Sequence, residues 1–473
     1  MQRDDVPLCV DLDGTLLRSD LLIESALAGV RRNPLDALRL PGWLRRGRAH
    51  LKRRLAERAR LDVARLPYDA RVVEWLRGEA GSRRKILCTA ADASLAQAVA
   101  EHVGGFDEVL ASDGVRNLSA AAKAQLLCER FGERGFDYAA DTEADLQVWR
   151  RARRAIVVNA PAGLAGRVRG VCEVERVFGR ENGGWRDVLR ALRPHQWLKN
   201  LLVLLPLLAA HLLFSPAAVS RALLAFVCFC LCASAAYLAN DLLDLQADRQ
   251  HPRKRSRPFA SGALPIRTGV VASPLLAGTA LLLALCLSRE FAAVLLAYAT
   301  TTIAYSLYLK RVAILDVVTL AALYTIRIIG GAVAIPVPAS HWLLAFSMFL
   351  FLSLAMVKRY AEVRSVADAG RVQVAGRGYA AHDLRLIEIL GIGSGCLSVA
   401  VLAFYIDSTA SQTLYRRQEY LWALTPALLY WIGRVWSVAR RGGMHDDPLV
   451  FATTDRASLV VAALCTLIVV AAI

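Results

Sequence analysis

From Leu201 to its last residue the chain is a succession of long apolar segments separated by short polar loops. About 20 apolar residues in a helix cross the hydrocarbon layer of a bilayer. Lipid offers the backbone no hydrogen-bond partner, so segments of this kind are expected as helices. Nine are read, at about 200–214, 219–239, 269–288, 291–308, 314–335, 341–357, 385–406, 419–437 and 457–473. The first is short enough to be tilted or partly interfacial. The region before them is rich in Arg and Glu and has only short apolar runs. This segregation reconciles two whole-chain properties: 56% hydrophobic residues, and a net charge of +17 from 58 Lys+Arg against 41 Asp+Glu. Three parts are predicted: a soluble domain over 1–180, an interfacial linker helix over 181–200 and a membrane domain over 201–473.

The loops predict orientation. One alternating set carries Arg249, Arg253, Lys254, Arg255, Arg257 and Arg267, then Lys310 and Arg311, then Lys358, Arg359, Arg364, Arg371 and Arg377, then Arg440 and Arg441. The other set carries little, so the first is expected in the cytoplasm. The N-terminus has acids where a leader peptide needs basic residues, which places the soluble domain in the cytoplasm too. An odd number of spans then leaves the C-terminus outside. The stretch "WRDVLRALRPHQWLKN" puts Trp185, Val188, Leu189 and Leu192 on one helical face, as expected of a helix in the headgroup region. The ten cysteines form no CxxC pair and read as small apolar packing residues.

In the soluble part, "LCVDLDGTLL" reads as a buried strand, Leu8 to Val10, ending in Asp11, Asp13 and a Gly turn. Two carboxylates at a strand's carboxyl end suit Mg²⁺ binding, with one carboxylate left as nucleophile. "KILCTAAD" reads as a second strand ending at Thr89. Lys123 is a cation at a helix start, and "FDYAADTEAD" reads as a third strand ending in Asp141, with Asp145 four residues on. Acid pair, hydroxyl, lysine and acid pair, in that order, resemble the haloacid dehalogenase-like phosphatase superfamily over about residues 5–175. The resemblance implies an α/β Rossmann-like domain with a helical cap over about 17–80. It implies Asp11 as nucleophile, Asp13 as general acid/base, and Thr89 and Lys123 as phosphate binders. It also implies one Mg²⁺ at a site drawn from Asp11, Asp13, Asp141 and Asp145. An Ala precedes Asp141 where the superfamily usually has Gly. The strongly basic cap suits anionic lipid or a polyanionic lipid-linked substrate.

In the membrane part, "NDLLDLQADRQHPRKRSRPFASG" follows directly on an apolar segment. On one continuous helix Asp241, Asp244 and Asp248 share a side over two turns. Three carboxylates at a membrane boundary are costly and repel one another unless a cation intervenes. Mg²⁺ bridging to a diphosphate satisfies them, and the basic run after them suits phosphate oxygens. NDxxDxxxD followed by KRxRPxxSG resembles the UbiA-type intramembrane prenyltransferases over about 190–473, which implies an all-α bundle of about nine transmembrane helices. The second acid motif of that superfamily, DxxxD, is incomplete: Asp316 is present, but Leu320 stands at the second position. The stretches "LRPHQWLKNLLVLLPLL", "YSLYLKRVAILDVV", "MVKRYAEV" and "GRGYAAHDLR" are closer to one branch, the decaprenyl-phosphate phosphoribosyltransferases.

That resemblance implies transfer of 5-phosphoribose from phosphoribosyl diphosphate to a polyprenyl phosphate. Asp241, Asp244 and Asp248 with Mg²⁺ are expected to hold the diphosphate. Lys199, Asn240, Arg253, Lys254, Arg257, Tyr305, Lys310, Asp316, Arg327, Lys358, Arg359 and Arg377 are expected to bind or position the two anionic substrates. A bifunctional enzyme of the inner membrane is therefore expected, its active sites cytoplasmic. The phosphatase would remove the 5′-phosphate of the transferase product to give polyprenyl-phosphoryl-ribose, an arabinose donor precursor for the cell envelope. Two rivals stand beside it: prenyl transfer from a prenyl diphosphate to an aromatic or other acceptor, and a non-catalytic transporter or scaffold. No nucleic-acid module is expected, and an oligomer is compatible with the sequence.

Overall fold

The apolar run Leu8–Val10 forms β1, buried on both faces as a central parallel strand must be. The computed structural model describes residues 6–79, 83–181, 183–374, 377–444 and 447–473, so the first five residues, Gly376 of the "GRGYAAHDLR" stretch, and two residues just before Asp447 lie outside the described residues. Five more strands follow: β2 (Lys85–Asp92), β3 (Glu108–Ser112), β4 (Asp137–Ala140), β5 (Arg154–Val158) and β6 (Glu173–Phe178). They make one parallel sheet in the order β3-β2-β1-β4-β5-β6. The order reverses at β1, so the crevice above the carboxyl ends of β1 and β4 is the switch point where ligands bind in open α/β sheets. Alternate residues feed two cores: Leu8, Val10, Leu87 and Ile156 on one face, Cys9, Ile86, Tyr138 and Val157 on the other.

Between β1 and β2 lies the helical insertion that was predicted: α1 (Leu21–Arg32), α2 (Asp36–Arg45), α3 (Arg48–Ala59) and α4 (Ala70–Gly78). Asp20 starts α1 by accepting the amides of Leu22 and Ile23, and Arg31 and Arg32 close it in the last turn. Next come α5 (Ala93–Val103), α6 (Ala120–Phe131), α7 (Leu146–Trp149), α8 (Leu164–Arg169) and α9 (Trp185–Leu192). Trp185, Val188 and Leu189 of α9 are exposed, whereas Leu192 is partly buried. The strand expected to stop at Thr89 runs on to Asp92, with an irregular register against β3 after Cys88.

The remaining helices are α10 (Leu205–Ala209), α11 (Pro216–Leu243), α12 (Leu245–Gln250), α13 (Ile266–Leu287), α14 (Arg289–Leu307), α15 (Leu315–Ala334), α16 (His341–Asp368), α17 (Leu384–Ile406), α18 (Thr409–Leu414), α19 (Leu424–Arg440), α20 (Pro448–Thr454) and α21 (Arg456–Ala472). Among the described residues six helices are long and apolar enough to cross a membrane, and the bent pair α20–α21 could make a seventh. The chain is thus a multi-pass membrane protein. The predicted span at 200–214 is not one helix: a 3₁₀ segment, Pro194–Leu204, runs into the five-residue α10. The segment at 419–437 is likewise split between a 3₁₀ turn and α19, which has 17 residues.

The chain divides into two compact units: Met1–Arg193 with Tyr237–Pro274, and Pro194–Ala236 with Leu275–Ile473. The segment carrying the Asp241 motif therefore belongs to the same unit as the N-terminal sheet. In that unit Asp137 is fully buried and holds Arg83 at 2.7 Å and Arg153 at 2.6 Å. Asp69 caps α4 and accepts from Arg71, Arg18 and Asn159. Burial alone would raise the Asp69 carboxyl, but these hydrogen bonds prevail and hold it well below the usual carboxylate range.

Two stability outcomes are expected. Asp137→Ala strands the Arg83 guanidinium, 1% exposed, without its nearest carboxylate and costs about 3 kcal/mol, read from tryptophan-detected unfolding. The depressed pKa of Asp69 stabilises the fold above its unfolded value of about 3.9, and that contribution drains away as pH falls below it. Asp69→Asn should therefore be less stable than wild type at neutral pH, and the gap should close in acid titrations below about pH 4.

Candidate functional site

Asp11 leaves the carboxyl end of β1 and Asp141 leaves that of β4, so parallel pairing of the two strands sets the acids side by side. Asp145 joins them from the turn after β4, and one oxygen from each of the three lies within 4.8 Å of the others. Gly14 makes the close approach possible. Its φ is +79°, and a Cβ there would stand 2.0 Å from Asp141 Oδ2. Lys123 Nζ from α6 reaches Asp11 Oδ1 at 2.7 Å and donates to the Tyr138 hydroxyl at 3.2 Å. Tyr138 in turn donates to Asp145 Oδ1 at 3.1 Å. Thr89 is buried, its hydroxyl accepting the Ala91 amide.

The electrostatics follow from burial. Burial, then the charges of Asp11 and Asp145, push the Asp141 carboxyl well up. Burial would lower Lys123, but Asp11 and Asp145 outweigh it and raise it. Crowded buried carboxylates with one lysine between them are short of positive charge, and hard oxygen donors suit Mg²⁺, so Asp11, Asp141 and Asp145 fit a divalent cation. Asp13, expected among the ligands, lies outside this group. Its carboxylate accepts the Leu21 amide at 2.8 Å, and burial, then Asp20, push it up to about 7. That value suits a group that gives and takes a proton near neutral pH. A cavity of about 260 Å³ opens above Asp13 and Asp141.

The second acid cluster departs from the single helix expected. α11 ends at Leu243 and α12 begins at Leu245, so Asp244 sits at the break rather than on one face with its partners. Asp241 and Asp248 are buried and joined through Arg257, which reaches them at 3.1 and 2.6 Å. Arg193 Nη2 donates to both carboxylate oxygens of Asp241, at 2.6 and 2.8 Å, while Arg31 pairs with Asp244 at 2.9 Å. Among the described residues these three acids do not gather around one point as Asp11, Asp141 and Asp145 do, and the arginines that hold them suit phosphate oxygens. Asn240 lies one residue before Asp241 on α11. Arg253 and Lys254 are exposed, so of the basic run it is Arg257 that reaches the acids.

In the other unit Asp316, at the start of α15, is fully buried. Arg359 Nε lies 2.7 Å from it, Arg377 3.3 Å, and the Tyr305 hydroxyl donates at 2.8 Å. Glu362 pairs with Arg359 and completes a set of two carboxylates and two guanidiniums. Lys199 and Lys358 share one oxygen of Asp447, at 2.7 and 3.0 Å. Arg327 stands apart from both groups: its donors go to Asn200 and Tyr298 at 2.8 Å each and to the Leu323 carbonyl. Its guanidinium thus ties helices together. Lys310 lies in the turn between α14 and α15.

Several members of these clusters went unread in the sequence. Asp447 carries the signal that singled out Asp241, a carboxylate at the end of a polar loop beside an apolar helix. Arg193 lies within "LRPHQWLKN" but 48 residues from its partner. Tyr138 has no local signal. Lys52, which donates to the Ala90 carbonyl at 2.5 Å beside Thr89, is hidden among the other cations of α3.

The N-terminal acids thus stand at the switch point of a parallel sheet with helices inserted after β1. A solved phosphoserine phosphatase in apo form covers 40% of this chain and 98% of its own, with 14% identity and a TM-score of 0.28. Protein y4nM of Sinorhizobium fredii is 37% identical over 464 residues, 97% of this chain and 89% of that protein. A decaprenyl-phosphate phosphoribosyltransferase of Mycolicibacterium smegmatis is 34% identical over 275 residues, 57% of this chain and 86% of that protein. The UbiA prenyltransferase family matches residues 202–470, a stretch that takes in the Asp241 motif and the six single-helix span candidates. With more than half its length so matched, the chain belongs to the UbiA prenyltransferase family.

Proposed function

We propose that the protein transfers 5-phosphoribose from phosphoribosyl diphosphate to a polyprenyl phosphate and then removes the 5′-phosphate, yielding polyprenyl-phosphoryl-ribose. The observation that carries this reading is the state of Asp316. A second metal-diphosphate site needs a second acid four residues on, whereas Leu320 stands at that position and Asp316 is paired with Arg359, Arg377 and Tyr305. That favours the lipid as acceptor rather than as diphosphate donor. The lysine pair supports it too: Lys199 and Lys358 share one carboxylate oxygen, leaving one positive charge in excess among the described residues for an anionic group. The similarity to decaprenyl-phosphate phosphoribosyltransferases points the same way.

In the transfer step a lipid phosphate oxygen attacks the anomeric carbon as the bond to diphosphate breaks, and diphosphate leaves with the bonding electrons. The nucleophile is already anionic, so no strong base is needed, and catalysis rests on positioning and charge neutralisation. Asp241, Asp244 and Asp248 hold the diphosphate end, with Arg257 and Arg193 turning from carboxylates to phosphate oxygens. Mg²⁺ at these acids, and at Asp11, Asp141 and Asp145, would screen phosphate charge. In the second step Asp11 attacks the 5′-phosphorus while Asp13 protonates the departing ribose oxygen. Asp13 then takes a proton from the water that hydrolyses the aspartyl phosphate. Lys123 and Thr89 hold the phosphoryl oxygens. The positively charged loops support a cytoplasmic location for both sites on the cell membrane.

The test uses the full chain in detergent with Mg²⁺, phosphoribosyl diphosphate and labelled polyprenyl phosphate, its products resolved by mass. Wild type should make lipid-linked ribose, and Asp11→Asn should stop at lipid-linked phosphoribose. Asp241→Asn should lower the rate of transfer on the order of 10²-fold while leaving hydrolysis of added lipid-linked phosphoribose in place. Activity on a prenyl diphosphate in place of phosphoribosyl diphosphate would sink the reading.

A further inference from the structure

The cavity above Asp13 and Asp141 is not closed by the N-terminal sheet and cap alone. One wall is the segment Gly262–Arg267, which follows the "RPFAS" run in the chain. Gly262 lies so close to the phosphatase loop that a Cβ would stand 2.8 Å from Arg18 Cβ, and its φ is +75°. Only glycine fits that contact. The wall is anchored by charge as well as by packing. Arg249 makes a buried two-pronged pair with Glu24 of α1, at 2.6 and 2.8 Å, and donates to the Ala260 carbonyl at 3.0 Å. Arg267 pairs with Asp20, the residue that caps α1 next to Asp13.

Two features of this wall bear on the substrate. First, Ile266 and Arg267 are the opening residues of α13, so the cavity lining includes the first turn of a candidate membrane span. Second, the rim carries Arg267, with 71% of its side chain exposed, and the exposed Arg180. At about 260 Å³ the cavity is below the range of roughly 300–1,000 Å³ typical of pockets that engulf drug-sized ligands. It suits a sugar phosphate head, not a polyprenyl chain.

We infer that Arg267 is a specificity residue of the phosphatase site, which selects a phosphomonoester on a lipid-linked sugar by pairing with the phosphodiester of that same substrate. The phosphomonoester points down to Asp11, the sugar fills the cavity, and the phosphodiester lies at the rim where the lipid continues into the membrane. A guanidinium fork suits the two free oxygens of a diester. The inference rests on the consecutive reaction proposed above.

The experiment compares phosphate release by the full chain in detergent from lipid-linked 5-phosphoribose and from ribose 5-phosphate, which lacks the diester. For Arg267→Ala the ratio of kcat/KM between the two substrates should fall about tenfold, through KM for the lipid-linked one, since a hydrogen bond to a charged group is lost. Arg267→Lys keeps the charge and the Asp20 pair, and should recover part of the ratio. A ratio unchanged in both variants overturns the role of Arg267 while leaving the consecutive reaction intact. Wild-type chain that hydrolyses ribose 5-phosphate but not the lipid-linked substrate overturns the consecutive reaction itself, and this inference with it.

Discussion

A carboxylate taken out of water must meet a positive charge, and the placement of the buried aspartates organises this protein. The acid clusters answer the demand differently. Asp137 is met by Arg83 and Arg153 beneath the sheet, where the pairing locks structure. Asp241 and Asp248 are met by Arg193 and Arg257, and Asp316 by Arg359 and Arg377. At Asp11, Asp141 and Asp145 the demand is left partly open: among the described residues Lys123 is the cation paired with this group. Removing one partner of a buried pair costs far more than the pair contributes. The arginines are therefore as constrained as the acids they serve.

The division of labour between closed and open clusters has a chemical consequence. A closed set such as Asp316, Glu362, Arg359 and Arg377 has little to offer a cation but presents a rigid, pre-formed surface. An open set such as Asp11, Asp141 and Asp145 is unfavourable until a cation arrives. Catalysis of phosphoryl and glycosyl transfer asks for both: fixed donors where charge develops, and metal-ready acids where phosphate is held. The segment Tyr237–Pro274 serves both acid clusters of its unit, because it carries the Asp241 motif and walls the cavity above Asp13 and Asp141.

Much of the N-terminal site was legible because its chemistry is local. Asp11, Asp13, Thr89 and Asp141 each lie at or just past a strand, and a parallel sheet sets those strand ends in a row. Lys123 was legible from its order in the motif. Tyr138, which bridges Lys123 and Asp145, was not, since an inward-facing tyrosine in a strand reads as core. In the membrane part the acids themselves stood out against apolar surroundings, whereas their partners did not. Lys199 and Asp447 are 248 residues apart and their meeting is a property of helix packing. The continuity of the helix through Asp244 was misread because composition is indifferent to a one-residue break.

By itself the sequence determined the division into a sheet-forming half and a lipid-compatible half, because apolar segments long enough to span a bilayer admit one backbone solution. It also determined which acids are reactive candidates, because charge at a strand end or a membrane boundary is costly wherever the chain folds. The tertiary structure alone decided which cation answers each acid, that Arg327 ties helices together while Arg359 meets Asp316, and that Gly262–Arg267 walls the cavity above Asp13 and Asp141. Those outcomes depend on distances between residues far apart in the chain. A long, flexible side chain such as arginine has many partners within reach in sequence terms, and only packing selects one.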